Sequence, residues 1–265
     1  MDTLSYWQKQ LKKPIFTDID TEKPEQKQFA GHLLIIGGNS SAFFAPATAT
    51  AKAQEQGIAT VRTILPDSLK KKIPPTPEII FAPSSPSGGF SQAASPFLLS
   101  AAAGADFNLI IGDLGKNAET ATTLADFLRQ TIKPTLLTRD AIDLLTPDAA
   151  QWTTHPSLTL LATLPQLQKI FRTIYYPKVL TLSMPLTQLI ETLHKFTLSY
   201  PIIVLTFHQN QLILAGQGSV ITTELASTPF SPITLYSGDL ATRIARLQIW
   251  NPQKKLGATS MALLG

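Results

Sequence analysis

The amino-acid sequence predicts a three-layer α/β/α fold built on a mainly parallel central sheet with an antiparallel edge. Short unbroken apolar runs such as Leu33-Leu34-Ile35-Ile36 alternate with segments of helical periodicity. Strands that are apolar on both sides are typical of parallel sheets covered by helices on both faces. The pattern changes at residues 211–223, which predict an antiparallel hairpin that turns at Gly216 and Gly218.

In chain order, the apolar runs and the helical periodicity assign each element. The predicted strands are residues 32–36, 59–65, 78–82, 107–111, 134–138, 157–163, 179–183 and 202–207. The predicted helices are residues 45–56, 91–103, 117–130, 164–174, 186–198, 239–249 and 258–264. Gly57 is a C-cap for the first of these helices, and Asn117 is an N-cap for the third.

The first residues of the chain differ in texture from the rest. Residues 1–30 are polar and irregular, and we interpret them as an extension that precedes a single domain at residues 31–265. Within the extension, residues 4–11 predict a short amphipathic helix. Tyr6 and Trp7 are expected to pack on the main body or on a neighbouring subunit.

Composition excludes several classes of function. Hydrophobic residues make up 44% of the 265 residues and charged residues 15%, which predicts a large buried core. The net charge of +4 is small and the basic residues are scattered, so we expect no nucleic-acid partner. No apolar run approaches the ~18 residues that span a bilayer, and there is no cysteine. These observations predict a cytoplasmic protein with no membrane partner.

Ligands of open α/β sheets bind beyond the carboxyl ends of the strands. The candidate ligand loops are residues 37–44, 112–117, 138–141, 163–166 and 231–239. The four histidines show no ligand spacing, so no metal site is predicted from this chain's side chains. Ser237-Gly238-Asp239 directly precedes a predicted helix, where the three residues could hold a phosphate and a catalytic carboxylate or could only cap the helix.

Four segments carry a resemblance to a known family. They are residues 31–39 (GHLLIIGGN), 105–115 (ADFNLIIGDLG), 134–145 (PTLLTRDAIDLL) and 236–240 (YSGDL). In order and content they resemble the ADP- or ATP-dependent NAD(P)H-hydrate dehydratases, a branch of the ribokinase-like superfamily. The resemblance extends over residues 30–265 and implies a ribokinase-like fold.

The resemblance also implies a site and its ligands. Asp239 would be the catalytic base, and Ser237 and Gly238 would supply phosphate-binding amides. The substrate cleft would be lined by Gly37, Gly38, Asn39, Gly112 and Asp140. The implied cofactor is ATP or ADP with Mg²⁺, the implied substrate is an NAD(P)H-hydrate-like small molecule, and the implied assembly is a homo-oligomer, with Trp7 and Phe43-Phe44 as candidate contacts.

The sequence departs from the family pattern at several ligand loops. Tyr236 stands where the family has the first glycine of its G-S-G-D turn, and Asp113 brings a negative charge into the G-P-G-L-G turn. Thr138 replaces the first acid of the D-A-D segment, and residues 164–167 (LPQL) stand where H-P-G-E is expected. Three hypotheses remain: a dehydratase, another ribokinase-like phosphotransferase, and a catalytically silent binding or assembly protein.

Overall fold

The computed structural model describes residues 5–21, 24, 26 and 30–264. Within them, ten strands form one sheet in the order β1-β10-β9-β8-β7-β6-β5-β2-β3-β4. The strands are β1 (Trp7–Gln10), β2 (His32–Gly37), β3 (Thr60–Pro66), β4 (Ile79–Ala82), β5 (Phe107–Gly112), β6 (Thr135–Thr138), β7 (Leu158–Leu161), β8 (Ile203–His208), β9 (Gln211–Gly216) and β10 (Ser219–Glu224). Of these strands only β9 runs against the others, so the predicted parallel sheet with an antiparallel edge is confirmed.

Helices cover both faces of the sheet. They are α1 (Phe44–Glu55), α2 (Ser95–Ala103), α3 (Ala118–Gln130), α4 (Asp140–Leu145), α5 (Ala149–Trp152), α6 (Leu164–Thr173), α7 (Leu186–Ser199), α8 (Asp239–Trp250) and α9 (Lys255–Ala262). Helices α1, α8 and α9 pack on one face, and α2 to α7 pack on the other.

Alternation along the buried strands builds two cores from one sheet. In β2, Leu33 and Ile35 belong to the core beneath α1 and α8, whereas Leu34 and Ile36 belong to the core beneath the opposite helices. All four side chains are buried, which is why the strand reads as a continuous apolar run. The three-layer prediction is therefore confirmed.

The prediction of a helix near the amino terminus is wrong. Trp7–Gln10 is strand β1, which pairs in parallel with β10 and brings Trp7 opposite Val220. The Trp7 indole donates a hydrogen bond to Thr222 Oγ1 at 3.0 Å, and the Tyr6 ring stacks on His194. The unpaired edge of β10 offers backbone hydrogen bonds that an isolated short helix cannot match. Leu4 lies outside the described residues.

The predicted strand at residues 179–183 is also wrong. This stretch is a loop between α6 and α7, in which Val179 and Leu182 are largely exposed. The Leu180 amide donates a hydrogen bond to the Gln168 side chain of α6, so the loop is held by a helix rather than by a strand. A short apolar run is ambiguous when no partner strand is known.

Among the described residues, none of the helices has both the length and the apolar composition that crossing a bilayer requires.

Candidate ligand crevice at the carboxyl edge of the sheet

Neighbouring strands β2 and β5 mark a crevice at the carboxyl edge. The chain leaves β2 toward β3 on one side and leaves β5 toward β6 on the other, which is the topology that opens a ligand crevice in α/β sheets. Gly38 donates a backbone hydrogen bond to the Gly112 carbonyl at 3.0 Å. A Cβ atom at Gly37 would lie 2.6 Å from that same carbonyl oxygen, so the two loops require glycine to approach this closely.

Asn39 joins the loop after β2 to the loop after β5. Its Oδ1 accepts hydrogen bonds from the amides of Ser41 and Ala42, at 2.7 and 3.2 Å. Its Nδ2 donates to the Asp113 carbonyl at 2.5 Å. The structure therefore brings the predicted residues Gly37, Gly38, Asn39 and Gly112 together.

Asp140, the first residue of α4, fills a ring of backbone amides. Its carboxylate accepts hydrogen bonds from the amides of Asp113 at 2.9 Å, Leu114 at 2.9 Å and Gly115 at 3.3 Å. Asp113 and Gly115 have positive φ angles of 57° and 72°. Consecutive amides that converge in this way form an anion-binding concavity of the kind that holds phosphates. Here the anion is the carboxylate of Asp140.

Asp113 occupies a second anion-receptive position, the amino terminus of α1. One of its carboxylate oxygens accepts a hydrogen bond from the Ala45 amide at 2.6 Å, in the first turn of that helix. The helix dipole favours a negative charge there. The other oxygen accepts from Arg139 Nη2 at 3.1 Å.

Arg139 bridges the crevice. Its Nη1 donates to the Tyr236 carbonyl at 3.3 Å, so the guanidinium links the turn after β5 to the turn before α8. Its Nε is buried and has no acceptor among the described residues. The backbone of Arg139 has φ 57° and ψ −141°, a conformation that costs a residue with a side chain about 1–3 kcal/mol. Surrounding contacts must offset that strain.

Tyr236 and Ser237 form the turn before α8. The Tyr236 ring packs against the core beneath α1 and α8, and its hydroxyl donates to the Ala162 carbonyl beyond the end of β7, at 3.4 Å. Burial raises the pKa of Tyr236 to about 12. The Ser237 amide and hydroxyl both donate to the Thr234 carbonyl, at 3.0 and 2.7 Å. Both Ser237 donors are therefore used within the loop.

Asp239 is not brought together with this cluster. It follows Gly238, whose φ of 108° lets the turn pass close to Ala49 of α1. The Asp239 carboxylate accepts a hydrogen bond from Gln56 Nε2 at 3.1 Å, just beyond the carboxyl end of α1. Asp113 contacts Ala45 at the other end of that helix, and eleven residues of helix correspond to about 16 Å. The two carboxylates therefore bind opposite ends of α1.

The structure assigns structural contacts to the histidines. His155, His194 and His208 lie within hydrogen-bond distance of backbone carbonyls, and His32 contacts Asp106. In the described part of the chain, no three or more His, Cys, Asp or Glu side chains are grouped closely enough to hold a metal ion. Mg²⁺ bound here would need ligands from elsewhere, such as the phosphates of a nucleotide.

Sequence comparison adds no family assignment, whereas structural comparison identifies the fold. No family model matches the chain, and no curated protein matches it. A ribokinase-like superfamily protein from Enterococcus faecalis matches with a TM-score of 0.71 and 16% identity, over 99% of this chain and 88% of that one.

Two further solved structures are similar. The ADP/ATP-dependent NAD(P)H-hydrate dehydratase from Bacillus subtilis, co-crystallized with ATP/Mg²⁺, has a TM-score of 0.60 and 14% identity, over 93% of this chain and 82% of that one. The ADP complex of Bacillus subtilis pyridoxal kinase has a TM-score of 0.54 and 11% identity, over 88% of each chain.

The fold of this protein is ribokinase-like, as the resemblance predicted. The structures that share it include a nucleotide-dependent dehydratase and a kinase. At these identities the likeness concerns the fold, and the roles predicted for Asp239, Ser237, Gly238, Gly37, Gly38, Asn39, Gly112 and Asp140 stay predictions.

Arg139 is the residue of the crevice that sequence reasoning missed. Its position could have indicated this role, because Arg139 lies between Thr138 and Asp140 at the carboxyl end of a predicted strand. Its neighbour Thr138 is buried, with a hydroxyl that has no partner among the described residues.

Proposed function

We propose that this protein is a ribokinase-fold binding or assembly protein that does not carry out a nucleotide-dependent reaction. The observation that carries the proposal is the Asp113–Arg139–Asp140 cluster, which occupies the crevice with the protein's own charges. The fold positions ligand-binding loops there, but the carboxylates of Asp113 and Asp140 already occupy the anion sites of those loops.

The two anion sites supply the first argument. A phosphate that entered the ring of amides would have to displace Asp140, and one that bound at the start of α1 would have to displace Asp113. Unit charges about 4 Å apart repel by roughly 4 kcal/mol at an effective dielectric constant near 20. Arg139 offsets only part of this repulsion, because its guanidinium is already hydrogen-bonded to Asp113.

The turn before α8 supplies the second argument. A phosphate held at a helix amino terminus requires free amides and a backbone that can approach closely. The Ser237 amide is bound to Thr234, and the Tyr236 ring fills the space over the end of β7. The Ser237 amide is therefore unavailable to a phosphate, and an aromatic side chain stands beside the turn.

The position of Asp239 supplies the third argument. A general base must lie within hydrogen-bond reach of the proton that it removes. The Asp239 carboxylate is bonded to Gln56, and Lys52 of α1 lies close enough to interact with it electrostatically. An ordinary explanation suffices: an acidic residue in the first turn of a helix is stabilised by the helix dipole.

A working enzyme is the second candidate, and one observation favours it. Arg139 Nε and Thr138 Oγ1 are buried at the crevice without a partner in the described part of the chain. An unsatisfied buried polar group costs about 1–3 kcal/mol, which a ligand could relieve. That enzyme would be an NAD(P)H-hydrate dehydratase, or a phosphotransferase acting on another small hydroxylated substrate, with ATP or ADP and Mg²⁺.

Ligand binding and turnover decide between the candidates. Thermal unfolding of the purified protein is measured with ATP, ADP and NADH, with and without Mg²⁺, beside an assay for the return of dihydronicotinamide absorbance from hydrated NADH. A ligand at ~100 times its Kd stabilises by about 2.7 kcal/mol. We expect no stabilisation and no turnover.

The variants sharpen this test. Asp140 and Asp113 still fill the anion sites when the Tyr236 ring is removed, so we expect Tyr236→Gly to stay as unresponsive to nucleotide as the control Tyr175→Gly, which changes an exposed tyrosine. Wild-type turnover that disappears in Asp239→Asn and persists in the control Asp148→Asn would establish the enzyme instead.

A further inference from the structure

A cavity lies at the opposite edge of the sheet from the crevice. Its volume is about 610 Å³, within the range of small-molecule sites. It is bounded by the amino-terminal ends of β8 and β10, by the segment that follows β1 and by the start of α9. Phe16, Ile19, Ile202 and Leu256 form an apolar part of its wall, and polar residues such as Gln8, Gln217 and Gln253 line the rest.

Lys255 is one of three charged residues that line this cavity, beside Lys254 and Asp18. The Lys255 side chain is half-buried, and its ammonium donates a hydrogen bond to the neutral Ser157 hydroxyl at 2.7 Å. Burial lowers the pKa of this ammonium. The nearby Asp18 carboxylate is paired with Lys254 at 2.7 Å, so no carboxylate of the described residues neutralises Lys255.

The location of Lys255 is unfavourable in a second way. It is the first residue of α9, where the helix dipole disfavours a cation. Its neighbour Lys254, the N-cap residue of the same helix, differs in being half-exposed and in having a counter-ion. A half-buried cation at a helix start with a neutral partner is explained if an anion completes the arrangement.

We propose that this cavity binds a small organic anion, with Lys255 as the charge partner of its carboxylate or phosphate and the apolar walls holding its carbon skeleton. The site uses none of the residues of the crevice. It gives the proposed binding function a ligand class and does not depend on whether the crevice is active.

Four probes separate the head group from the apolar body. Hexanoate and hexyl phosphate carry both parts, 1-hexanol carries only the chain, and inorganic phosphate carries only the charge. Isothermal titration of the full chain should give one site for at least one of the first two. We expect 1-hexanol and inorganic phosphate to bind at least about tenfold more weakly, and the better of hexanoate and hexyl phosphate identifies the head group.

Variants test whether Lys255 supplies the positive charge that binds the anionic head group. Lys255→Met should weaken binding of the better probe by about tenfold or more, Lys255→Arg should retain most of it, and Lys195→Met, which removes an exposed lysine from α7, should change nothing. Without ligand, Lys255→Met should raise Tm by about 2 °C, because a disfavoured cation has been removed.

Three results would overturn the proposal. They are absence of binding by both hexyl anions, equal binding of 1-hexanol, and unchanged binding by Lys255→Met. A lower Tm for Lys255→Met would mean that the Ser157 hydrogen bond alone explains the half-buried lysine. Because nucleotides are not among the probes, these outcomes are independent of the test of the crevice.

Discussion

The carboxylate of Asp140 holds the turn that begins at Asp113, through hydrogen bonds to three consecutive amides. An acidic side chain from α4 thus fixes the loop after β5, and that loop in turn places the Asp113 carboxylate on the start of α1. The crevice is shaped by charges that lie within it.

Replacing Asp140 tests how much this contact stabilises the fold. Asp140→Asn removes the charge and leaves one acceptor oxygen for three amides, so we expect a loss of about 2 kcal/mol in the free energy of unfolding. The measurement is equilibrium unfolding in urea. Asp143→Asn on the same helix is the control: Asp143 accepts from the side chains of Gln166 and the exposed Lys169, the asparagine keeps an acceptor for Gln166, and the loss should stay below about 1 kcal/mol. Equal losses would contradict the assigned contact.

Both the backbone conformation at residue 112 and its close contact with Asp140 require glycine. Its φ is 114°, and a Cβ atom would lie 2.3 Å from Asp140 Oδ1. We expect Gly112→Ala to destabilise the protein by about 2–4 kcal/mol, measured as a fall in Tm. Gly104→Ala is the matched control: its φ is −89°, and the nearest atom to the added Cβ is 3.9 Å away. A similar fall in both variants would disprove the close approach at Gly112.

The strained backbone of Arg139 predicts an order among substitutions. Arg139→Ala and Arg139→Gly both lose the contacts with Asp113 and Tyr236, but only glycine adopts φ 57°, ψ −141° readily. The glycine variant should therefore be the more stable of the two by about 1 kcal/mol. Chemical denaturation of both variants measures this difference. An alanine variant that is as stable as the glycine variant would show that the backbone relaxes.

Tyr236 should make stability depend on pH in the alkaline range. Its pKa is raised from 10.0 to about 12 by burial, so the folded state holds the phenolic proton more tightly than the unfolded state. That contribution, about 2–3 kcal/mol, is complete below pH 10 and is lost as the pH rises toward 12. Ultraviolet titration should show a late-ionising tyrosine that is missing from Tyr236→Phe. A profile that Tyr236→Phe leaves unchanged would rule out this burial.

Local sequence patterns were sufficient for much of the fold. Apolar runs located the parallel strands, and the loops after β2, β5 and β6 were correctly placed at one edge, so Gly37, Gly112 and Asp140 do meet. The strand at Trp7–Gln10 was missed because its partner lies more than 200 residues away, beyond the reach of local periodicity. Residues 179–183 are the opposite case: they form a local apolar run, but they pair with no strand of the sheet.

The orientation of side chains in the crevice was beyond sequence reasoning. A residue that begins a helix can face either neighbour, and only the packing of α8 beside α1 turns Asp239 toward Gln56. No sequence pattern indicated that Arg139 lies in the crevice, because a single arginine is usually exposed to solvent. Its role depends on Asp113 and Tyr236, which are distant in the sequence.

The parallel pairing of β1 with β10 has a consequence for biosynthesis. Trp7 leaves the ribosome long before Val220 exists, so the first strand must wait, unpaired, while almost the entire sheet is synthesised. Until β1 pairs with it, β10 is an exposed edge strand to which another nascent chain could add a strand. Strand β1 can therefore pair only after β10 has been made, and it then replaces the six-residue edge of β10 with a shorter edge of four residues.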